Sequence, residues 1–371
     1  MKIGILTLPI AENYGGILQA IALYSYLHNQ KHDVVLIYKD TKPAMWKKII
    51  RSILLKIPFH DFKNIKTSDN RAEWKKRKDF HRIFIEQTIL NISKDLTNTK
   101  ELMDFARVEK FDAVIVGSDQ VWAITQKSDK YYKNYFLDFI EKDSKTKKIA
   151  YAASFGKRKI SDRQELNEIF ELLDEFVAVS SREKSGVMMC EDILNSDSVA
   201  HVLDPTFLMD KDFYLKELIS EHNTDSDCKK YLVTYILDPG DDKLEIIKNT
   251  QEEINCHNVT HLKQYNCSNI IYTVPQWLES FSNAEFIITD SFHGMVFSII
   301  FQKDFLVIGN RERGIDRFTS LLSILNLEDR MIYSRSDLLN KNIRPIDYKK
   351  IDSILDCEKS KSKGFLDSAL K

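Results

Sequence analysis

The stretch that decides the fold is residues 284–330, AEFIITDSFHGMVFSIIFQKDFLVIGNRERGIDRFTSLLSILNLEDR. It begins with a short β-branched and aromatic run, Glu285 to Thr289, which predicts a strand that stops at Asp290-Ser291. Asp and Ser favour helix N-caps, and apolar residues then recur at helical spacing, so the pattern predicts a helix with His293 in its first turn. Anions bind at such helix N-termini, where backbone N–H groups are unpaired and the helix dipole is positive.

A second buried strand, Phe305 to Ile308, ends at Gly309-Asn310, and three arginines follow it. They are Arg311, Arg313 and Arg317. In an open α/β sheet, ligands bind beyond the carboxyl ends of the strands. A histidine after one strand and guanidinium groups after the next therefore predict a phosphate or carboxylate site. Taken singly, such residues could equally be a helix cap, a core side chain or part of a solvated turn.

The N-terminal segment has the pattern that opens a Rossmann-like domain. A strand at Lys2 to Leu8 leads through a turn at residues 12–16 into a helix predicted to start at Ile17. Paired glycines let the backbone approach a ligand closely, which makes Asn13, Gly15 and Gly16 candidate ligand contacts. The turn lacks the full G-x-G-x-x-G pattern, and glycines that serve the conformation alone would give the same sequence.

Polar side chains also follow three later buried strands of the first half. They are Asp119 after Phe111–Val116, Ser154 after Ile149–Ala153 and Arg182 after Val177–Ser180. Asp119 could activate a substrate hydroxyl or simply cap the next turn. The pattern predicts a doubly wound α/β domain over residues 1–210. The alternation of strands and helices begins again after residue 210 and predicts a second Rossmann-like domain over residues 211–371. The C-terminal helix of this second domain is expected to pack back across the first domain.

The length of 371 residues favours two domains of ordinary size over one. A formal net charge of −1 argues against a general nucleic-acid binder. Residues 41–82 nevertheless carry thirteen Lys/Arg and four Asp/Glu, a net of +9. Within them, residues 45–57 have an apolar helical face with mostly basic side chains opposite. This pattern predicts either contact with an anionic membrane surface or an ordinary helix packed on its own domain.

The five cysteines are scattered and never form a C-x-x-C pair, so neither a disulfide framework nor a metal site is expected. The apolar run from Ile3 to Ile10 is short and broken by Pro9, which predicts a first strand rather than a signal peptide. No apolar run approaches the roughly 20 residues needed to span a bilayer. We therefore expect a cytoplasmic protein, peripheral at the inner membrane face if residues 45–57 bind lipid.

Six motifs, taken together and in order, resemble the polysaccharide pyruvyl transferase family over nearly the whole chain. They are Asn13–Ala20 (NYGGILQA), Val116–Trp122 (VGSDQVW), Ala152–Gly156 (AASFG), Ser181–Glu183 (SRE), Leu203–Thr206 (LDPT) and Thr289–Gly294 (TDSFHG). The resemblance implies two Rossmann-like domains facing each other across a cleft, as in GT-B glycosyltransferases. It implies phosphoenolpyruvate as donor co-substrate and no cofactor. The acceptor would be a sugar diol, on a simple sugar or a lipid-linked oligosaccharide of bacterial surface polysaccharide synthesis, and the product would be a cyclic pyruvate ketal.

The resemblance also implies roles for particular residues. In relatives, a second-domain histidine matching His293 and a first-domain arginine matching Arg182 hold the donor. This makes the C-terminal domain the donor side and the N-terminal domain the acceptor side. Many relatives have arginine two residues before the histidine, where this chain has Ser291. That donor contact is then lost or supplied by Arg311, Arg313 or Arg317, or the donor is a different one, including an activated sugar.

The predicted catalytic residues are His293 as proton carrier, Asp119 as activator of the acceptor and Arg182 as a cation for the leaving phosphate. The predicted donor-binding residues are Asn13, Gly15, Gly16, Ser154, Ser291, Gly294, Arg311, Arg313 and Arg317. Two other functions need much the same residues. One is a GT-B glycosyltransferase with a nucleotide-activated or phosphate-activated sugar donor, and the other is an inactive binding module of a polysaccharide assembly complex.

Overall fold

A computed structural model of the chain describes residues 1–9, 13–39, 65–66, 70–125, 129–157, 160, 162–219, 231–262, 270–309, 314–339 and 343–371. The basic amphipathic stretch at 45–57 lies outside the described residues, as do Arg311 and Arg313. Over the part of the chain that is described, no helix combines the length and the apolar character needed to cross a bilayer.

The regular elements alternate between strand and helix along most of the chain. The strands are β1 (Lys2–Leu6), β2 (Asp33–Ile37), β3 (Ile65–Lys66), β4 (Ala113–Gly117), β5 (Lys147–Ala153), β6 (Ala178–Ser181), β7 (Ala200–His201), β8 (Tyr231–Tyr235), β9 (Asn258–His261), β10 (Ile270–Ile271), β11 (Phe286–Thr289), β12 (Asp304–Ile308) and β13 (Met331–Ile332). The α-helices are α1 (Tyr14–Asn29), α2 (Asn70–Thr88), α3 (Thr99–Glu109), α4 (Arg163–Leu173), α5 (Lys184–Leu194), α6 (Lys211–Phe213), α7 (Asp241–Glu253), α8 (Val274–Asn283), α9 (Phe292–Ile300), α10 (Asp316–Ile324), α11 (Arg335–Leu339) and α12 (Tyr348–Leu370). Single turns of 3₁₀-helix occur at Val121–Ala123, Tyr132–Phe136, Pro205–Leu208 and Glu328–Arg330, and a π-helical turn at Tyr214–Leu218 follows α6.

The chain divides into two compact units. Unit 1 comprises Met1–Lys56, Ile85–Leu208 and Asp356–Lys371, and unit 2 comprises Ile57–Phe84 and Met209–Leu355. Helix α12 therefore begins in unit 2 and ends in unit 1. Its second part is bonded within unit 1, where the hydroxyl of Ser362 accepts the backbone N–H of Leu203 at 2.9 Å.

The sheet of unit 1 has six parallel strands in the order β2-β1-β4-β5-β6-β7. Its strands are rich in β-branched and small apolar residues that are almost entirely buried, as expected for parallel strands covered on both faces. In this sheet, β2 lies on one side of β1, and β4 to β7 lie on the other. The order therefore reverses between β1 and β4, which pair with Ile3 beside Ala113. In doubly wound folds, ligands bind at the carboxyl ends of the strands at this point.

The sheet of unit 2 follows the same plan with five parallel strands in the order β13-β12-β11-β8-β9. The order reverses between β8 and β11, which pair with Thr289 beside Tyr235. A separate antiparallel pair joins β3 to β10, with Ile65 beside Ile271. The predicted pair of parallel-sheet α/β domains is confirmed, and each sheet has one point at which ligands are expected.

Candidate active site

Helix α9 begins at the carboxyl end of β11, where the strand order of unit 2 reverses. The helix starts at Phe292 because the hydroxyl of Ser291 accepts the backbone N–H of Gly294 at 3.3 Å, which is N-cap geometry. His293 therefore lies in the first turn, as the sequence predicts, and it is buried. Asp290, predicted with Ser291 as a cap, has a different role.

The carboxylate of Asp290 is fully buried and joins the ends of two strands. It accepts the backbone N–H groups of Leu237 at 2.5 Å and of Asp238 at 3.1 Å, in the loop after β8. The ammonium group of Lys243, in the first turn of α7, lies 2.6 Å from a carboxylate oxygen of Asp290. The same ammonium group also donates to the carbonyl of Asp238. These bonds fix the loop beside the start of α9.

Gly294 is explained by close packing of α9 on β11. A Cβ built on it would lie 2.3 Å from the hydroxyl oxygen of Thr289, nearer than any side chain can approach. Thr289 cannot easily move away, because this oxygen donates to the carbonyl of Tyr235 at 2.7 Å and accepts the N–H of Ser291 at 3.0 Å. The predicted donor contact at Gly294 stays a prediction, since the packing alone requires glycine.

Of the three predicted arginines, Arg317 is the one that the structure describes, and it belongs to α10 rather than to a loop. Its guanidinium carbon lies 5.6 Å from the ring centre of Phe292, a cation–π contact, and 5.5 Å from that of Phe318. The ring of His293 lies 5.2 Å from that of Phe292 in an edge-to-face arrangement. Phe292 is thus in contact with both the predicted histidine and the predicted arginine.

In unit 1, residues 14–16 belong to the first turn of α1 rather than to the turn predicted at 12–16. The helix begins at Tyr14, because the side-chain oxygen of Asn13 caps it by accepting the N–H of Gly15 at 3.1 Å. Gly16 lies inside the first turn, and a Cβ on it would stand 3.5 Å from a carboxylate oxygen of Asp119. The fold places the carboxylate of Asp119 near the N-terminus of α1, where the helix dipole stabilises negative charge.

The loop that carries Asp119 is fixed at the point where the strand order of unit 1 reverses. The side chain of Gln19 donates to the hydroxyl of Thr7 at 3.0 Å, and its oxygen accepts the N–H of Ser118 at 3.0 Å. Further along the same loop, the buried ring of Trp122 stacks on Phe136 with ring centres 5.5 Å apart. These bonds tie the loop after β4 to β1, α1 and the core.

The guanidinium group of Arg182 lies among three carboxylates. Its Nη1 donates to Asp204 at 2.5 Å and to the hydroxyl of Ser118 at 3.3 Å. Its Nη2 donates to Asp119 at 3.2 Å, and its Nε lies 3.7 Å from Glu183. Burial lowers the pKa of Arg182, but the charges of these carboxylates outweigh it and leave the pKa above its ordinary value. Arg182 is therefore permanently charged and internally neutralised.

Two of these carboxylates are held by bonds of their own. Glu183 accepts the hydroxyls of Ser154 and, at 3.3 Å, of Ser181. The second oxygen of Asp204 accepts the N–H of Thr206 at 3.1 Å and its hydroxyl at 2.8 Å. Ser154, predicted to contact the donor, is thus bonded to Glu183 in this structure.

The structure brings the predicted residues together in two groups, one at the sheet edge of each unit. Asn13, Gly15, Gly16, Asp119, Ser154 and Arg182 form the group in unit 1, and Ser291, His293, Gly294 and Arg317 form the group in unit 2. Sequence reasoning assigned no role to Glu183, Asp204 or Lys243, and it predicted Asp290 only as a helix cap. Glu183 and Asp204 are themselves members of two quoted motifs, SRE and LDPT, which was an available signal. Lys243 gave none, because its ion pair with Asp290 forms only in the tertiary structure.

Comparison with known proteins agrees with this fold. Two solved structures match with a TM-score of 0.50 and 12% sequence identity: UDP-N-acetylglucosamine 2-epimerase from Rickettsia bellii, covering 100% of this chain and 97% of that one, and the S. aureus MnaA-UDP complex, covering 95% and 90%. At this identity they show the fold alone, which is GT-B. No curated protein sequence matches the chain.

The sequence itself matches a family model described as polysaccharide pyruvyl transferase over residues 13–312. This range includes Asp119, Arg182 and His293, together with all six motifs on which the resemblance rests. Because the match covers most of the 371 residues, the chain belongs to the polysaccharide pyruvyl transferase family and is a transferase.

Proposed function

We propose that the protein transfers the pyruvyl group of phosphoenolpyruvate to two hydroxyls of a sugar acceptor, forming a cyclic ketal. The observation that carries this proposal is the family match over residues 13–312, within which His293 lies in the first turn of α9 at the carboxyl edge of the sheet of unit 2. The similar solved structures support the GT-B fold but say nothing of the donor of this chain.

The chemistry requires four changes that balance. A proton adds to the methylene carbon of phosphoenolpyruvate, and a sugar hydroxyl oxygen bonds to the adjacent carbon while losing its proton. The bond from that carbon to the phosphate oxygen breaks, and inorganic phosphate leaves. A second sugar hydroxyl then bonds to the same carbon and loses its proton, which closes the ring. Proton donors, a base and a cation are therefore all needed.

The residues of unit 2 fit the donor side of this reaction. An imidazole ring has two nitrogen atoms that can accept or donate a proton, which suits His293 to pass one. The first turn of α9 offers a helix N-terminus to a phosphate or carboxylate, and it has no acidic residue of its own. Arg317, in contact with the ring of Phe292 beside His293, is the described cation that best fits the role of the arginine missing at Ser291. We assign donor binding to Ser291, His293 and Arg317 on these grounds.

The residues of unit 1 fit the acceptor side. Asp119 has one carboxylate oxygen bonded to Arg182, and the other lies 3.5 Å from the position that a Cβ on Gly16 would take. A carboxylate in this position can take the proton of a sugar hydroxyl as its oxygen attacks. We therefore propose Asp119 as the base.

The acceptor is proposed to be a sugar that is linked to lipid, reached at a membrane surface. The support is the net charge of +9 over residues 41–82 and the basic amphipathic pattern at 45–57. Flotation with anionic vesicles tests this point. Equal recovery of the wild type and a variant with Lys47, Lys48 and Arg51 changed to Glu, at low and at high salt, would contradict it without affecting the catalytic assignment.

The test of the function is incubation of the pure protein with a glycoside acceptor and either phosphoenolpyruvate or a nucleotide sugar, followed by mass spectrometry. The proposal expects a pyruvyl adduct that needs phosphoenolpyruvate and His293. Transfer from the nucleotide sugar instead would identify a glycosyltransferase. Acceptor binding without any transfer would identify a binding module.

A further inference from the structure

We infer that Arg182 does not bind the donor but holds Asp119 in place, and that Asp204 and Glu183 fix Arg182 for this purpose. The inference rests on the proposed function, because it refines how the acceptor is activated. It differs from the role that the family resemblance implies, in which this arginine contacts the donor. Arg182, Asp204 and Glu183 are then positioning residues that act through Asp119.

The four side chains of this cluster are buried to different depths. Their exposed fractions are 0% for Asp204, 1% for Arg182 and 5% for Glu183, but 11% for Asp119. Of the four, a substrate can therefore reach Asp119 most easily, and the guanidinium group lies behind it.

The bonds of Arg182 set the direction of its guanidinium group. Asp204 takes Nη1 at 2.5 Å and is itself held by two bonds from Thr206. Glu183 lies beside Nε, so the guanidinium plane is held on two sides. Nη2 is then fixed in the direction of Asp119, 3.2 Å away. A planar, rigid donor of this kind sets the orientation of the carboxylate that it bonds.

The charge of the cluster disfavours an anionic donor. The cluster holds three carboxylates and one guanidinium group, so with all four ionised its net charge is negative. An anionic donor brought to Arg182 would meet these carboxylates at close range, and like charges repel strongly at buried sites. A neutral sugar hydroxyl meets no such repulsion.

The test separates donor binding from turnover. The variants are Arg182→Gln, the charge-keeping Arg182→Lys, Asp204→Asn and Asp119→Asn. The matched control is Arg330→Gln, which removes a second buried arginine from unit 2. For each, kcat, the KM of both substrates, the Kd of phosphoenolpyruvate by calorimetry and the unfolding midpoint are measured.

We expect Arg182→Gln to lower kcat by about tenfold to a hundredfold, because the base is no longer positioned. The Kd of phosphoenolpyruvate should change by less than about twofold, since no donor contact is lost. Arg182→Lys should recover part of kcat, and Asp204→Asn should reproduce the pattern of Arg182→Gln more weakly. Arg330→Gln should leave kcat unchanged whatever it does to the unfolding midpoint.

A double-mutant cycle decides whether Arg182 acts through Asp119. If it does, Arg182→Gln combined with Asp119→Asn loses no more kcat than Asp119→Asn alone. Multiplicative losses, or an increase of about tenfold or more in the Kd of phosphoenolpyruvate for Arg182→Gln, would overturn the inference. If Arg182→Gln does not fold, the same cycle with Arg182→Lys gives the answer.

The outcome is distinguishable from failure of the proposed function. A wild-type protein that neither binds nor uses phosphoenolpyruvate would overturn that function. The variants would then be compared with the donor that the wild type does use. Loss of kcat with unchanged donor Kd would still support the positioning role, and loss of donor affinity would overturn it.

Discussion

The ammonium group of Lys243 lies 2.6 Å from a carboxylate oxygen of Asp290, and this ion pair links the first turn of α7 to the carboxyl end of β11. Asp290 is fully buried and also accepts two backbone N–H groups. Asp290→Asn would remove the negative charge beside Lys243 and leave at least one buried N–H donor without an acceptor. We predict a loss of about 2–3 kcal/mol in the free energy of unfolding, measured by urea denaturation.

The control for this prediction is an ion pair of the same length at the surface. Lys216 lies 2.6 Å from Asp212, and both side chains are largely exposed. Solvent and salt screen such pairs, so Asp212→Asn should leave the urea midpoint unchanged. Equal effects of the two substitutions would show that burial of Asp290 has no energetic consequence.

Gly294 gives a second prediction about stability. Because a Cβ there would lie 2.3 Å from the hydroxyl oxygen of Thr289, Gly294→Ala must displace α9 from β11. We expect a loss of about 1–3 kcal/mol, as for other overpacked sites. Gly364→Ala is the matched control: this helical glycine has nothing within 4 Å of a built Cβ and should stabilise by about 0.5–1 kcal/mol. A Gly294→Ala variant with the free energy of unfolding of the wild type would contradict the packing argument.

His293 gives a prediction about turnover. A positioned acid or base typically contributes about a hundredfold or more, so His293→Gln should lower kcat by that amount. Glutamine keeps a polar side chain of similar length, so the unfolding midpoint should stay near that of the wild type. His261→Gln is the control, because this histidine is bonded to Thr234 on the neighbouring strand. Wild-type turnover in His293→Gln would remove His293 from the mechanism.

His201 gives a prediction about pH. Its pKa is lowered by burial, an effect that its hydrogen bond to the carbonyl of Arg182 and the charge of Glu358 oppose and the charge of Lys184 reinforces. The unfolded state therefore binds a proton more readily, and the contribution of His201 to stability is present above its unfolded pKa of about 6.5. Stability should fall as the pH decreases from 7 to 5. The fall should be smaller in His201→Gln, and an identical pH dependence in that variant would refute the assignment.

Much of the fold was predictable because buried parallel strands have continuous apolar sequences that end in polar or glycine turns. The run Phe305–Ile308 became β12 with one residue added at its start, and Glu285–Thr289 became β11 with one removed. The helix cap was harder to predict, because Asp290 and Ser291 are both residue types that cap helices well. Asp290 instead accepts the backbone N–H of Leu237 in the loop after β8, which is distant in sequence, and Ser291 caps α9.

The site was predictable as a set of residue types at strand ends, but not as a set of partners. Asp119 and Arg182 were each identified from their own strand, whereas their bond depends on the pairing of β4 with β5 and β5 with β6. The three carboxylates around Arg182 come from three separate segments, so no local pattern shows that its charge is internally neutralised. The helix at α1 started three residues earlier than predicted, because the cap by Asn13 outweighed the low helix propensity of two glycines.

The central claim is pyruvyl transfer from phosphoenolpyruvate, and it is tested most directly in D2O. The protein is incubated with phosphoenolpyruvate and a glycoside that has two neighbouring free hydroxyls, and the mass of the product is measured by mass spectrometry. We predict a gain of one pyruvic acid less one water, one deuterium in the new methyl group, and one inorganic phosphate released per product. An acceptor that stays unchanged with phosphoenolpyruvate but gains a sugar from a nucleotide sugar would contradict the claim.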